Sequence, residues 1–303
     1  MVACKEAEVD AFFLTASARD HKTKMSKIIY FNLHEQIDKD IIKALKQLKH
    51  EVILVDSLDF QETADLFLFR NPAIPTDNMP LFFDKSIKLQ KTLASLKCKK
   101  AFWFTDKVMG LGNDLLEAII PLVDYVFLND DTWLRRHDYE NVYPLHLGAS
   151  EIPEGKYVKK YDADIAFNGD IYQPMISWID ELKKTFGNKF KLFNVKGKDF
   201  ADLCASAKII ISSRFLSSDF YWDDKIYQTL ACGGFMIHPR LHGLELKDAK
   251  HYVSYNSFPE LTDTIKWFLK YPVERDTIAS KGRTEVLKKY TYKNRMKELL
   301  SKV

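Results

Sequence analysis

Residues 27–55 read KIIYFNLHEQIDKDIIKALKQLKHEVILV. Two apolar runs, 28–31 and 52–55, stand at the ends of this stretch, and polar Asn32 follows the first. Between them, apolar residues recur at helical spacing: Ile37, Ile41, Ile42, Leu45 and Leu48. Continuous apolar runs are typical of strands buried on both faces, and a repeat of three to four residues is typical of a helix. The stretch therefore predicts strand, helix, strand, the unit from which parallel sheets are built.

The same alternation continues through both halves of the chain. Apolar runs predict further strands at 66–69, 101–104, 125–128, 165–167, 190–193, 209–211 and 235–237. Helical spacing predicts helices at 84–96, 113–121, 175–186, 199–206, 224–232, 259–270, 274–288 and 293–301. Between the two series, Gly, Pro and charged residues cluster at 147–156 and predict a linker.

We therefore expect an α/β protein with two tandem Rossmann-like domains that face each other across a cleft. The first domain is expected at 27–150 and the second at 151–288. An extension precedes them at 1–26. A C-terminal helix is expected at 289–303.

Composition limits the classes of function. The 303 residues are 46% apolar and 29% charged, which excludes wholesale disorder. The net charge of +3 is too balanced for a chain whose main partner is nucleic acid, although Lys-rich stretches leave peripheral contact with acidic lipid open. The four cysteines form no C-x-x-C pair. No run approaches the roughly 18 apolar residues of a membrane span, and residues 1–26 lack the basic start of a signal peptide, so we expect a cytoplasmic protein.

Polar residues directly follow several predicted strands, where open α/β sheets bind ligands. These residues are 32–34, Arg70, Asn71, Thr105, Asp106, 168–170, 212–214 and His238. In the first domain, Asp106 and His34 are candidates for a general base that takes a proton from a substrate hydroxyl. A plain turn or capping role fits Asp106 equally well.

Two segments of the second half carry further chemistry. Asn168-Gly169-Asp170 follow a predicted strand, and a glycine there lets backbone amides approach a phosphate. Residues 222–237, WDDKIYQTLACGGFMI, predict a helix that Asp223 caps and that Gly233-Gly234 end. The first segment is not the G-x-G-x-x-G dinucleotide fingerprint. From composition alone, a simple turn and a buried helix-to-strand corner explain the two segments.

Residues 222–237 also resemble the donor-binding signature of group 1 glycosyltransferases with the GT-B fold, especially the branch named for the CgeB spore-maturation protein. Four other segments resemble motifs of this family in the expected order: 164–169 (DIAFNG), 243–245 (GLE), 255–261 and 290–295 (YTYKNR). The resemblance covers about residues 160–300, and it implies that the C-terminal helix at 289–303 returns to the first domain. In the first domain, only 103–106 (WFTD) is suggestive.

The resemblance implies transfer of a hexosyl group from a nucleotide-sugar donor to a glycan, protein or lipid acceptor. Transfer is expected to need no metal, to retain the anomeric configuration, and to use no cofactor besides the nucleotide-sugar itself. Arg214 and Lys225 would stabilise the diphosphate, and Gly233 and Gly234 would allow close backbone approach. Gln228 stands where relatives usually place a glutamate that bonds the ribose. The other expected donor-site residues are Asn168, Gly169, Asp170, Asp224 and His238.

Two features keep alternatives open. Gln228 and Phe220 stand where the family usually has two glutamates eight positions apart, and 172–175 lack a basic residue that relatives often carry. These differences are compatible with a second class of function, an inactive nucleotide- or glycan-binding protein with the same fold. A third class is another enzyme with the GT-B fold, such as a nucleotide-sugar epimerase.

Two short motifs resemble metal-binding sequences. The D-x-D at 162–164 leads into a predicted strand, whereas the metal motif of the other large glycosyltransferase fold lies deep in a single domain. His238 and His242 flank Pro239 without a third ligand. We therefore predict no metal site.

Overall fold

The structure, a computed structural model, describes residues 26–33, 35–71, 79–152, 154–213, 220, 221 and 223–303, without the side chains of 79–86, 111 and 174. The extension expected at 1–26 is therefore outside the described residues, apart from Ser26. Within the described part of the chain, no helix is long and apolar enough to cross a membrane.

The first half forms a six-stranded parallel sheet. Its strands β1 to β6 are Lys27–Phe31, Glu51–Val55, Leu66–Arg70, Lys99–Phe104, Tyr125–Leu128 and Val142–Pro144. Helices α1 to α4 are Gln36–Gln47, Met79–Ser95, Leu111–Ile119 and Asp131–Leu134. The strand order is β2-β1-β3-β4-β5-β6, so the direction of winding reverses between β1 and β3. Helix α1 starts with a capping box in which Asp38 accepts from the backbone of Glu35.

The second half forms a five-stranded parallel sheet. Strands β7 to β11 are Ala163–Asn168, Phe190–Phe193, Ala207–Ile211, Met236–Pro239 and Val253–Tyr255. Helices α5 to α10 are Ile176–Phe186, Gly197–Ser206, Lys225–Ala231, Phe258–Lys270, Pro272–Lys289 and Tyr292–Lys302. The order β11-β10-β9-β7-β8 reverses between β7 and β9. Ligands of such sheets bind at the carboxyl edge of this reversal.

Helix α10 lies against the first sheet. Tyr292, Met296 and Leu299 are fully buried in a core cluster that also contains Ile28 and Tyr30. Burial of a large apolar side chain stabilises a fold by roughly 1.5–3 kcal/mol. Core packing therefore attaches α10 to the first domain. Within the described residues, the chain thus passes between the two domains twice, once between β6 and β7 and once between α9 and α10.

The segment between the sheets packs against the junction of α9 and α10. Ala149 donates its N–H to Tyr290 O (2.7 Å) and accepts from the N–H of Tyr292 (3.1 Å). A Cβ on Gly148 would lie 3.0 Å from backbone atoms of residues 290–292. Only glycine permits this approach without a shift of the backbone.

Candidate active site

The reversal point of the second sheet is occupied by a glycine and a lysine. Gly169 follows β7 with φ +136, a conformation that favours glycine. A Cβ at this position would lie 2.6 Å from Nζ of Lys225, the first residue of α7. Lys225 Nζ also lies 5.8 Å from the centre of the Phe167 ring. Ser212, after β9, lines a small cavity together with Lys225. At the carboxyl edge of the second sheet, an ammonium group thus packs against a backbone turn that carries no side chain.

The residues on either side of Gly169 are fixed by neighbouring loops. The Asn168 side chain donates to Val195 O (3.1 Å) and accepts from the N–H of Val195 (2.9 Å). Asp170 accepts from Asn194 Nδ2 (2.7 Å). Both side chains hold the turn in place, and the amide group of Asn168 is directed to the backbone after β8.

Two aspartates precede α7. Asp223 Oδ1 accepts from the backbone N–H of Lys225 (3.1 Å), so the predicted capping residue bonds the start of the helix. Burial and the charge of Asp223 raise the pKa of Asp224 to about 6, although Lys225 and Gln228 favour its ionised form. Asp224 therefore changes charge close to neutral pH, next to the lysine.

On the first sheet, an amide orients the carboxylate that follows β4. Asn71, fully buried after β3, donates Nδ2 to Asp106 Oδ2 (2.6 Å) and accepts from the Thr105 N–H (2.7 Å). Asp106 is exposed to solvent, but many protein atoms surround its carboxyl group, and this partial burial raises the pKa of the carboxyl. The hydrogen bond from Asn71 and the charge of Arg70 offset part of the rise. Asn71 thus fixes the position of an Asp106 carboxyl whose pKa lies above its ordinary value.

The two carboxyl edges face each other near Tyr221. Burial, and the negative charges of Asp223, Asp106 and Asp224, raise the pKa of Tyr221. The N–H of Asp131, in the first domain, donates to Phe220 O at 3.0 Å. Asp106 and the residues around Lys225 therefore lie on opposite sides of one cleft.

Gln228, on α7, contacts the segment that joins the two sheets. Its Oε1 accepts from the Ser150 N–H (3.2 Å) and its Nε2 donates to Ser150 Oγ (2.8 Å). Ser150 Oγ in turn donates to Asp40 Oδ2 on α1 (2.6 Å). The side-chain amide of Gln228, which was expected to bond the ribose, thus forms part of a hydrogen-bonded link between the two domains.

The expected role of the glycine pair in the donor site needs correction, whereas that of His238 stays a prediction. Gly233 and Gly234 lie at the opposite end of α7 from Lys225, roughly 12 Å away at 1.5 Å per helical residue. A Cβ on Gly234 would meet the Thr229 side chain at 2.9 Å, so this glycine permits tight packing within the domain. His238 is fully buried in β10, and its Nδ1 lies 2.9 Å from Pro239 O. The glycine pair therefore lies away from the cleft. His238 lies near the charges of Asp223 and Lys225, and its Nε2 has no hydrogen-bond partner within the described part of the chain.

Three other sequence-based candidates have different outcomes. Arg214 and His34 lie outside the described residues, so their roles stay predictions. The D-x-D motif stands at the amino end of β7, away from the cleft, where Asp164 pairs with Lys208 at 2.6 Å. Among the described residues, no group of three or more His, Cys, Asp or Glu side chains is arranged to hold a metal ion.

An ionic network that the sequence did not predict joins the domains beside the cleft. His146, which follows β6, lies 3.1 Å from Asp131 and 3.6 Å from Glu245 of the second domain. Glu245 binds Arg295 of α10 through both oxygens, at 2.6 and 3.2 Å. Tyr227 donates to the same carboxylate (2.8 Å). Glu245 and Arg295 fall within segments of the family resemblance, but their pairing required knowledge of how α10 crosses.

The protonation of His146 gives a test of this network. Burial alone lowers the pKa of His146, but Asp131 and Glu245 outweigh it and raise the pKa to about 9. Because the folded pKa lies above the unfolded value near 6.5, the imidazolium stabilises the fold fully below about pH 6.5, and this stabilisation disappears as the pH rises through about 9. The difference corresponds to roughly 3 kcal/mol.

We expect His146→Gln to lower the free energy of unfolding by up to this amount at pH 6 and much less at pH 10. Urea unfolding of both proteins across this range measures the difference. His242→Gln, at an exposed histidine, is the control. A gap between wild type and His146→Gln that is constant with pH would contradict a buried imidazolium.

Comparison with known proteins agrees with this geometry. Residues 158–301 match a family model described as "Glycosyl transferase-like". No curated protein matches the chain by sequence. Among solved structures, an alpha-glucosyltransferase in complex with UDP-glucose and DNA containing an abasic site has 10% identity and a TM-score of 0.67, over 92% of this chain and 99% of that one. Anabaena Alr3699/HepE in complex with UDP and glucose has 11% identity and a TM-score of 0.60, over 92% and 100%.

An alpha1,3-fucosyltransferase is also similar, with 13% identity and a TM-score of 0.56 over 94% of this chain and 93% of that one. The predicted fold of two facing α/β domains is confirmed, because the chain shares the GT-B architecture of these proteins. The residues that match the family model, 158–301, are nearly the same as those of the predicted resemblance. The narrower CgeB-like branch stays a prediction.

Proposed function

We propose that this protein transfers a glycosyl group from a nucleotide-sugar, with the donor diphosphate bound by Lys225 and by the backbone turn at Gly169. The observation that carries the proposal is the Lys225 ammonium at the reversal point of the second sheet, which lies against a glycine whose missing side chain leaves room for that ammonium. The family match covers these same residues. Solved relatives of this fold contain UDP or UDP-glucose.

The charge of Lys225 suits a diphosphate leaving group. The ammonium is partly buried and has no ion-pair partner among the described residues. A leaving diphosphate gains negative charge as the glycosidic bond breaks, and a fixed cation stabilises that charge best where water is scarce. We propose that this cation replaces a metal ion, so that transfer continues in the presence of a chelator.

On the opposite side of the cleft, Asp106 would accept the proton of the acceptor hydroxyl. Its pKa is raised by burial, which brings it closer to the working pH of a general base. Asn71 fixes one of its oxygens and leaves the other for the substrate. The acceptor would thus occupy the first domain and the donor the second.

Donor binding is tested directly with UDP and UDP-glucose. We expect both ligands to raise the melting temperature of the protein, and incubation with UDP-glucose to release UDP. Unchanged melting with nucleotides of every base would contradict the proposal.

The engagement of Gln228 by Ser150 favours one second candidate, a non-catalytic nucleotide-binding protein. Its amide is not a free ribose ligand in this state. Nucleotide-dependent stabilisation without release of UDP, over a panel of acceptors, would favour this candidate.

Gly169→Ala should weaken nucleotide binding by about tenfold or more, because the new methyl group would stand 2.6 Å from Lys225 Nζ and would displace it. The positive φ of Gly169 adds strain of roughly 1–2 kcal/mol. Gly187→Ala is the matched control, since Gly187 has φ +53 and a methyl group there would have nothing within 4 Å. We expect both variants to lose stability and only Gly169→Ala to lose affinity, as measured by calorimetric titration with UDP. Equal affinity in the two variants would exclude a ligand at this turn.

A further inference from the structure

A groove on the outer side of the first domain runs between α1 and the edge strand β2. It has a volume of about 650 Å³, and its lining includes Asn32, Lys39, Ile42, Lys43, Lys46 and Leu54. One end lies at Asn32, directly after β1 and thus at the carboxyl edge of the sheet. Helix α1 runs antiparallel to the strands, so the groove extends from that edge towards the other end of the domain.

The three lysines lie on one face of α1. Residues four and then three positions apart are neighbours on a helix surface, and Lys39 to Lys46 spans about 10 Å along the axis. Lys43 pairs with Glu151 at 3.2 Å. Lys39 and Lys46 have no acidic partner within the described part of the chain and are exposed. Two uncompensated positive charges therefore flank the groove.

The floor of the groove is apolar. Leu54 is 45% exposed, and Ile42 lies beside it in the lining. Amide side chains lie at both ends: Asn32 at the carboxyl edge, and Gln47, whose Nε2 donates to Glu151 Oε2 (2.7 Å), at the far end. An aliphatic floor accepts the C–H faces of sugar rings, amides bond hydroxyls, and ammonium groups pair with acidic substituents.

We infer that this groove binds the chain of an anionic glycan acceptor, whose reactive end reaches the cleft past Asn32. The inference rests on the proposed function for the direction of the chain. Asp106 follows β4, two strands from β1, which corresponds to about 10 Å along the same edge. A glycan in the groove therefore points its end towards the proposed base.

The lining disfavours other anionic partners. Single-stranded nucleic acid binds through aromatic stacking as well as charge, and no aromatic residue lines the groove within the described part of the chain. A lipid bilayer presents a flat surface, whereas the apolar residues here form the floor of a concavity and do not protrude. Both partners are alternative outcomes of the test.

The test uses the full chain and five probes: an oligogalacturonate, a heparin oligosaccharide, neutral dextran, phosphatidylglycerol vesicles and an oligo-dT strand. The variant is Lys39→Glu with Lys46→Glu. The matched control, Lys184→Glu with Lys288→Glu, makes the same change in net charge on exposed positions of α5 and α9. Lys39→Arg with Lys46→Arg is the charge-conserving variant.

We expect the wild type to bind at least one acidic oligosaccharide about tenfold or more tighter than dextran at low salt. The groove variant should lose this preference, and the control and the arginine variant should keep it within about twofold. In transfer assays, the groove variant should raise KM for the acidic acceptor and leave KM for the donor unchanged. Dextran binding as tight as that of the acidic glycans, or equal glycan binding by all variants, would overturn the inference.

Loss of vesicle or oligo-dT binding in the groove variant, without an effect on glycans, would also overturn it and assign the groove to that partner. UDP titration separates this inference from the proposed function. If the wild type binds no nucleotide but the lysines still select acidic glycans, the donor proposal fails and the groove assignment stands. If UDP binds normally to every variant and the affinity for acidic glycans does not depend on Lys39 and Lys46, only the groove assignment fails.

Discussion

Replacing Lys225 with methionine is expected to lower kcat for sugar transfer by about 10²- to 10³-fold, the usual effect of removing one preorganised group that stabilises charge in a transition state. The aliphatic stem of methionine fills much of the space of the lysine stem. Within the described residues, Lys225 Nζ makes no ion pair whose loss would unfold the domain. The loss should therefore appear in activity and nucleotide affinity, and the melting temperature without ligand should stay close to that of the wild type.

The measurement is the rate of UDP release from UDP-glucose, with and without acceptor, in parallel with UDP titration. Lys270→Met, at an exposed position at the end of α8, removes the same charge elsewhere in the second domain and should leave both quantities unchanged. Equal rates in the Lys225 variant and the control would remove Lys225 from the active site and, with it, the main support for the proposed donor position.

Most of the secondary structure was predictable, because long apolar runs and helical spacing have few other solutions. The predicted strand at 101–104 is part of Lys99–Phe104, and the predicted helix at 259–270 begins one residue earlier, at Phe258. Three short elements were missed: β6, β11 and α4. Strands of three residues and a helix of four are too short for any periodicity to appear, and their positions depend on pairing with elements already in place.

For the candidate site, the position of a residue was predictable where it follows a strand or begins the next helix, and its role stays a prediction. Asp106, Gly169 and Lys225 all lie at the carboxyl edges, as the predicted sheets require. The expected donor role of Gly233-Gly234 was wrong because the motif shows only that these glycines are close to Lys225 in sequence. Helix α7 lies between them and places the glycines at the opposite edge of the sheet.

Contacts between the domains were not predictable from either half alone. Gln228 meets Ser150 across 78 positions of sequence, and Arg295 donates to Glu245 across 50. No local pattern encodes such pairings. The two links border the same cleft, so substitutions in them are expected to affect how the domains meet as well as stability.

Replacing Arg295 with methionine should have the largest effect on stability, a loss of about 3–5 kcal/mol in the free energy of unfolding. The guanidinium is 3% exposed and binds both oxygens of Glu245 as well as Leu147 O. Its removal leaves the Glu245 carboxylate with His146 and Tyr227 as its remaining partners, and leaves the Leu147 carbonyl without this donor. Unfolding in urea, followed by fluorescence and by circular dichroism, measures the loss.

A double-mutant cycle with Glu245→Gln separates the ion pair from general packing. Because Arg295 and Glu245 touch, the double variant should be less destabilised than the sum of the single variants, by about 0.5–3 kcal/mol. Arg240→Met is the matched control: its guanidinium, 51% exposed, pairs with Asp248 at the surface, where such a pair contributes at most about 1 kcal/mol. If Arg295→Met costs no more than Arg240→Met, or if the cycle is additive, then the ion pair contributes nothing to the junction of α10 with the second domain, and the burial of Tyr292, Met296 and Leu299 in the first domain is what holds the helix.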